Sequence, residues 1–340
     1  MSLTMNTLAL PKQMTHIEIT QPGGPDVLQP RTVGLPHPGP GELLVRVHAA
    51  GVNRPDVMQR MGVYPMPPGV TSVPGLEIAG EVVALGEGSS GFAVGDAVCA
   101  LTEGGGYAEY CTVPVTQTLP VPAGLSMVQA AAIPETYFTV WANVFDAGAL
   151  RREQTVLIHG GTSGIGSTAV RLSKERGARV LVTDDGPDKC QAALNLGADI
   201  AIDFRRQDFV EQVSLATSGR GVDMVVDIVG GAYFERNVAA LARDGRLVLI
   251  GFLGGEVAER VNLLTIALKR LTVTGSTMRA RTATEKADIA QRLQAAVWPA
   301  MAQGRCVPPV HAVFPLTQAA EAHRLMESGG HVGKIVLQVA

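Results

Sequence analysis

The residues best placed by type and spacing to do chemistry are in the stretch Thr155-Val156-Leu157-Ile158-His159-Gly160-Gly161-Thr162-Ser163-Gly164-Ile165-Gly166. A short apolar run ends in a glycine-rich turn, and a helical segment through Ala169-Val170-Arg171-Leu172 follows. Glycine tolerates close backbone approach, and the unpartnered N–H groups at a helix start offer a seat for a diphosphate. Gly161, Thr162, Ser163, Gly164, Ile165 and Gly166 are therefore candidate dinucleotide-binding residues. The spacing departs from the usual G-x-G-x-x-G, because Ser163 stands where the second glycine would.

In such a site the second strand ends in a residue that reads the adenosine ribose. An acid there favours NAD, and a small residue beside a base favours NADP. Here Thr183 ends the strand, Asp184 follows 18 residues past Gly166, and Lys189 offers a base, with Arg205-Arg206 beyond. A 2′-phosphate would meet Asp184 at short range, a repulsion the bases must outweigh. Taken alone, these loop charges leave the two dinucleotides evenly matched. Gly251 and Phe252 follow the fifth strand, at the carboxyl edge where ligands bind in open α/β sheets.

The elements that must position this turn are legible as a change of rhythm. From Met14 to about Tyr110 short strands alternate with turn signals such as Pro36-His37-Pro38-Gly39-Pro40-Gly41, which predicts a β-rich domain. Helix texture appears at Gln129–Ile133 and from Thr136 to Phe145. From Thr155 the pattern becomes strand, helix, strand. Its strands are Thr155–Ile158, Arg179–Thr183, Ile200–Ile202, Met224–Asp227 and Arg246–Ile250, with Leu271–Thr274 last. Parallel strands need such crossovers, so an α/β fold with a doubly wound parallel sheet is expected. The helix Thr317–Ser328 and strand Lys334–Val339 read as a return to the first domain.

Length and composition narrow the function classes. A chain of 340 residues predicts two domains, and 46% hydrophobic with 17% charged residues suits a folded α/β protein. A formal net charge of −3 gives no electrostatic reason for a nucleic-acid or anionic-membrane partner. Apolar runs all break well short of a membrane span. The four cysteines show neither metal-knuckle spacing nor a disulfide framework, and residues 1–13 read as a short extension without signal-peptide character. A reduced, cytoplasmic protein is the expectation.

Several runs together resemble the medium-chain dehydrogenase/reductase superfamily over nearly the whole chain from Met14. They are Gly51-Val52-Asn53-Arg54-Pro55-Asp56, Pro74-Gly75-Leu76-Glu77-Ile78-Ala79-Gly80, Val94-Gly95-Asp96, Gly104-Gly105-Gly106-Tyr107-Ala108-Glu109-Tyr110 and Ala130-Ala131-Ala132-Ile133-Pro134. The chain is most similar to the zinc-free quinone oxidoreductase branch. There, Pro22-Gly23-Gly24-Pro25, Met58-Gln59-Arg60 and Tyr64-Pro65-Met66-Pro67-Pro68-Gly69 resemble the group induced by a mammalian tumour suppressor. The resemblance implies a GroES-like catalytic domain over 1–136 and 277–340, and a Rossmann dinucleotide domain over 137–276.

It also implies roles. Where alcohol-oxidising members carry zinc ligands, this chain has Asn53, Leu76 before Glu77, and Glu135, so no metal is expected. Asn and Leu lack the soft or imidazole donors zinc prefers, and losing the Lewis acid argues against alcohol oxidation. By resemblance, Asn53 and Tyr64 are the candidate catalytic residues, Thr139 packs beneath the nicotinamide, and Asp56 and Glu77 buttress the cleft. Phe204 stands where NADPH-using relatives carry a Tyr at the 2′-phosphate, and Asp184 where they carry a small residue. The family implies NADPH, these two residues lean toward NADH, and NADPH is the expectation.

The implied activity is NAD(P)H-dependent reduction of a quinone, by hydride or electron transfer. One alternative is reduction of α,β-unsaturated carbonyls or enoyl thioesters, with Lys269, Arg270, Arg279 and Arg281 as candidates for a thioester's phosphates. The other is an NADPH-binding structural protein with little turnover. A homodimer through the strand 271–274 is implied, since an apolar edge strand otherwise invites aggregation.

Overall fold

The structure is a computed structural model and describes residues 10–64, 66–67 and 69–339. Most of the expected N-terminal extension (residues 1–9), with Pro65 and Pro68 of the Tyr64 run, lies outside the described residues.

An antiparallel ribbon of β1 (Gln13–Ile19) and β2 (Leu28–Gly34) opens the described chain. The long strand β3 (Glu42–Val52) runs into the short helix α1 (Arg54–Arg60). Then come β4 (Glu77–Leu85), β5 (Ala97–Leu101), β6 (Tyr110–Pro114) and β7 (Thr118–Pro120). Helices α2 (Met127–Ala130) and α3 (Pro134–Val140) follow, and α3 continues as a π-helical turn over Trp141–Ala147. The alternating region comprises β8 (Thr155–His159), α4 (Gly164–Glu175), β9 (Arg179–Asp184), α5 (Gly186–Asn195), β10 (Ile200–Asp203), α6 (Phe209–Ala216), β11 (Val222–Asp227), α7 (Phe234–Ala240) and β12 (Leu241–Leu249). The chain closes with α8 (Leu263–Lys269), β13 (Thr272–Gly275), α9 (Ala283–Met301), β14 (Val310–Pro315), α10 (Ala319–Ser328) and β15 (Lys334–Gln338).

Two larger sheets position the site. The six-stranded sheet has the order β10-β9-β8-β11-β12-β13 with every pair parallel, a doubly wound Rossmann arrangement. Its central strands are apolar because helices cover both faces: Val156, Leu157, Ile158, Val225 and Val226 are fully buried. The strand order reverses between β8 and β11, and the crevice beyond that reversal is where such sheets take ligands. The seven-stranded sheet runs β14-β15-β3-β4-β5-β7, with β6 also on β3. In it β15 lies antiparallel to β3, Ile335 opposite Val52. That pairing carries Lys334 to the end of β3, beside Asn53.

Some boundaries differ from expectation for physical reasons. β12 starts at Leu241 and not Arg246, because the apparent turn at Asp244-Gly245 is taken up inside the strand, with Asp244 at φ +63° and a register shift against β11. The helix expected over Thr136–Phe145 changes to π geometry at Trp141. The helix α9 was not foreseen, although Thr282 and Glu285 form a capping box at its start.

Candidate active site in the cleft between the sheets

The carboxyl ends of β8 and β11 open onto a cavity of about 640 Å³, lined on its other side by residues of the seven-stranded sheet and α1. The glycine turn forms one end. Ser163 caps α4, its Oγ accepting from Gly166 N–H at 2.9 Å. Gly166 has to be glycine, since a Cβ there would fall 2.0 Å from the Gly160 carbonyl oxygen. Gly164 and Ile165, the first residues of α4, line the cavity, and their N–H groups have no partner within the helix. Arg54, Lys189, His331 and Lys334 line it too. Burial, then the neighbouring Lys189, His311, Lys334 and Arg54, push His331 down to about 4, so its ring is neutral; its buried Nδ1 has no partner among the described residues. Free helix N–H groups, cations and an orphaned ring nitrogen fit a diphosphate-bearing cofactor.

Asp184 is already occupied. Its carboxylate accepts from Thr162 N–H at 2.7 Å and Asp185 N–H at 2.9 Å, and the side chain is 4% exposed. It therefore ties the glycine turn to the end of β9. Asp185 pairs with Arg205, and Lys189 Nζ donates to the Gly329 carbonyl at 2.6 Å.

At the opposite end the side chains carry the structure. Asn53 caps α1 reciprocally with Asp56, its N–H donating to Asp56 Oδ2 at 2.8 Å. Asn53 Nδ2 donates to Glu77 Oε1 at 2.9 Å, and Glu135 N–H donates to Glu77 Oε2 at 2.9 Å. Lys334 Nζ lies 2.6 Å from Glu77 Oε1 and donates to Asn53 Oδ1 at 2.5 Å and Val52 O at 3.1 Å. Both Glu77 and Lys334 are almost wholly buried. Gly51 leaves room for this carboxylate, since a Cβ there would stand 2.0 Å from Glu77 Oε1. Burial raises Asp56 to about 6 against the bonds from Asn53 and Gly75 N–H, and Tyr107 Oη donates to it at 3.3 Å.

Three further groups face this end. The Arg279 guanidinium sits 4.7 Å over the Tyr64 ring and donates to the Glu103 carbonyl at 3.1 Å. Burial raises the Tyr64 phenol, with Arg279 opposing and Glu135 and Asp56 assisting. Thr139 Oγ1 is buried without a partner among the described residues. Burial, then the charge of Glu77, pushes Glu135 up to about 8, although Lys334 and Arg279 pull the other way. Glu135 is half-buried because it borders the cavity. An acid kept neutral near pH 7, a phenol and an amide around one space are the parts for binding a carbonyl and protonating it.

The cavity gathers Asn53, Tyr64 and Thr139 with Thr162, Ser163, Gly164 and Ile165 of the turn. Asp184, Lys189, Gly251 and Phe252 also line it. Gly161, Gly166, Thr183 and Phe204 do not. Gly161 packs against Val182, Thr183 receives the Gly160 and Gly161 N–H groups, and Phe204 is 42% exposed. Among the bases considered for a thioester, Arg279 reaches the cavity, whereas Lys269 caps the carbonyls of Ala239 and Leu241 and Arg270 pairs with Asp244. His159, pushed down to about 4 mainly by burial, bridges Thr183 and Asn237 as a structural residue. The sequence reading missed Lys334 as a site residue and noted Glu135 only by position. The available signal was a charge opening the apolar run Ile335-Val336-Leu337 and an acid after Ile133-Pro134.

Comparison with known proteins finds relatives over nearly the whole chain. The family model "Alcohol dehydrogenase GroES-like domain" matches residues 39–123, and "Zinc-binding dehydrogenase" matches residues 164–295. The quinone oxidoreductase of Sus scrofa is 30% identical over 96% of this chain and 98% of its own length. A crystal structure of an NAD-dependent alcohol dehydrogenase superposes with a TM-score of 0.85 at 33% identity, covering 96% of this chain and all of that one. The Escherichia coli quinone oxidoreductase complexed with NADPH does so at 0.83 and 29% identity, covering 96% and 100%. The chain thus belongs to the medium-chain dehydrogenase/reductase superfamily, in its quinone oxidoreductase branch.

Proposed function

We propose that this oxidoreductase reduces quinone-type acceptors with NADPH, in preference to NADH, and without zinc. One observation carries the reading: the diphosphate seat at the start of α4 opens into the same cavity as Asn53, Tyr64 and Glu135. The N–H groups of Gly164 and Ile165 would hold the diphosphate, Lys189 a 2′-phosphate, and Thr139 Oγ1 a polar edge of the nicotinamide. When bound, the reduced nicotinamide supplies a hydride. Asn53 and Tyr64 orient the acceptor's oxygen, and the apolar walls around Leu76, Leu101 and Met278 exclude water.

Zinc independence is supported by the donors present. Where zinc-dependent members bind metal, Asn53 offers an amide oxygen, and the Lys334 ammonium already engages both Asn53 and Glu77. NADPH is supported by the E. coli relative's complex and by the commitment of Asp184 to backbone amides, which turns it away from reading the ribose. The division into 1–136 with 277–340 and 137–276 remains part of this proposal. So does a homodimer: β13 ends the six-stranded sheet, and Leu263, Leu264 and Leu268 beside it are exposed. No helix among the described residues is long and apolar enough to cross a membrane. Steady-state oxidation of NADPH and NADH with 1,2-naphthoquinone and with crotonyl thioester tests the reading. It fails if neither dinucleotide is oxidised above background with the quinone.

A further inference from the structure

Reduction of a carbonyl or quinone leaves an oxyanion that needs a proton, and Tyr64 and Glu135 border the cleft beside Asn53 as oxygen acids able to give one. Tyr64 is a phenol raised above its usual range, which makes it a weak donor near neutrality. Glu135 differs. It stands in the first turn of α3, with its backbone N–H bonded to Glu77 Oε2, which fixes where its side chain begins. Its residue borders the cavity together with Asn53, Tyr64, Thr139 and Arg279. Among the described residues its carboxyl makes no hydrogen bond or ion pair with the protein, whereas Glu77 beside it has both oxygens taken. A carboxyl group that borders the reaction space and has no protein partner among the described residues has its O–H available to a ligand.

We propose that Glu135 is the proton donor of the reaction. This rests on the reductase reading of the same cavity. As the acceptor takes the hydride's two electrons, the negative charge gathers on its oxygen. The Glu135 O–H bond breaks, a new O–H bond forms on the acceptor, and the carboxylate left behind is reprotonated from water once the product has left the cleft. For a quinone, hydride plus this proton gives the hydroquinone.

The surroundings suit that cycle. Glu77 from β4 and Asp56 from α1 repel the charged form of Glu135, while Lys334 from β15 and Arg279 from the segment before α9 stabilise it. Tyr64 also faces it, and Arg54, Glu103 and Lys286 line the same cavity. Burial and the two carboxylates outweigh the two cations and the favourable helix start, and the group rests near 8. A donor poised close to the working pH transfers protons best, and such groups typically contribute about 10²–10⁴-fold.

The test measures kcat against pH with NADPH and 1,2-naphthoquinone for the native enzyme, Glu135→Gln, Glu135→Asp and Tyr64→Phe. The native enzyme should lose activity above about pH 8, and Glu135→Gln should fall by about 10²-fold and lose that limb. Glu135→Asp should keep a limb at reduced rate. A second readout needs no turnover: infrared difference spectra at neutral pH should show a protonated carboxylic acid carbonyl band in the native protein that Glu135→Gln abolishes. An unaltered pH limb in Glu135→Gln, or an unchanged band, overturns the proposal, as does a limb that disappears in Tyr64→Phe alone. If the native enzyme reduces no quinone, the reductase reading is what fails for quinones. The same four proteins are then compared with crotonyl thioester, where a persisting limb in Glu135→Gln again overturns the role.

Discussion

The two ends of the cleft handle negative charge in opposite ways. At the dinucleotide end, Asp184 is satisfied by backbone N–H groups contributed by the turn it braces. At the acceptor end, Asp56, Glu77 and Glu135 crowd together: Lys334 neutralises Glu77, Asp56 relies on hydrogen bonds alone, and the Glu135 carboxyl has no partner among the described residues. A backbone-built site is fixed by the fold itself and needs little from any one side chain. A side-chain-built site stores its chemistry in charge imbalance, and single substitutions there should be felt far more.

Lys334→Met gives the largest expected effect. It leaves the Glu77 carboxylate fully buried with its cation gone, a loss of about 3–5 kcal/mol when one partner of a buried pair is removed. Chemical denaturation would measure it, and a loss below about 1 kcal/mol would mean that the ammonium compensates nothing there. Lys189→Ala comes next. Losing a charge-assisted contact to a 2′-phosphate should weaken NADPH binding by about 1.5–3 kcal/mol and leave NADH unchanged, as titration calorimetry would show. Equal weakening of both would move Lys189 from phosphate reader to brace for Gly329.

Asp184→Ala separates the two ends most directly. If the carboxylate is a tether, removing it strands the Thr162 and Asp185 N–H groups and weakens NADPH and NADH alike, by about 1–3 kcal/mol. If it reads the ribose, NADH suffers alone.

The same contrast explains what the sequence shows. The glycine turn, the six parallel strands and the capped start of α4 depend on neighbours close along the chain, and apolar rhythm plus turn residues display them. The acceptor end depends on contacts across the fold: Lys334 meets Asn53 281 residues away, and Glu135 meets Glu77 58 residues away. No spacing rule reaches that far, so Asn53 and Tyr64 were reached by resemblance and Lys334 not at all. The β1–β2 ribbon is similarly obscure, since Pro30 sits opposite Ile17 in an edge strand and weakens the strand signal. Asp184 was legible as an acid after β9, but its partners are backbone groups, which a side-chain pattern does not reveal.

The smallest predicted effect is a dependence of stability on pH. Glu135 titrates near 8 in the folded protein against an ordinary 4.5, and Asp56 near 6 against 3.8. A raised carboxyl contributes stability that is present below its ordinary value and lost as pH rises through its folded value. The lowered histidines His159, His323 and His331 act oppositely, since their contribution is lost as pH falls below the ordinary 6.5. Above about pH 7 those histidines are neutral in both states and Asp56 is largely ionised in both, which leaves Glu135 as the carboxyl still titrating. Between about pH 7 and pH 8 the native protein should therefore lose about 1 kcal/mol, a shift of about 1–2 °C in Tm. Calorimetry at the two pH values should find that slope flattened in Glu135→Gln and retained in Asp184→Asn. The reverse result would place the uncompensated acid at the dinucleotide end and erase the distinction between the two halves of the cleft.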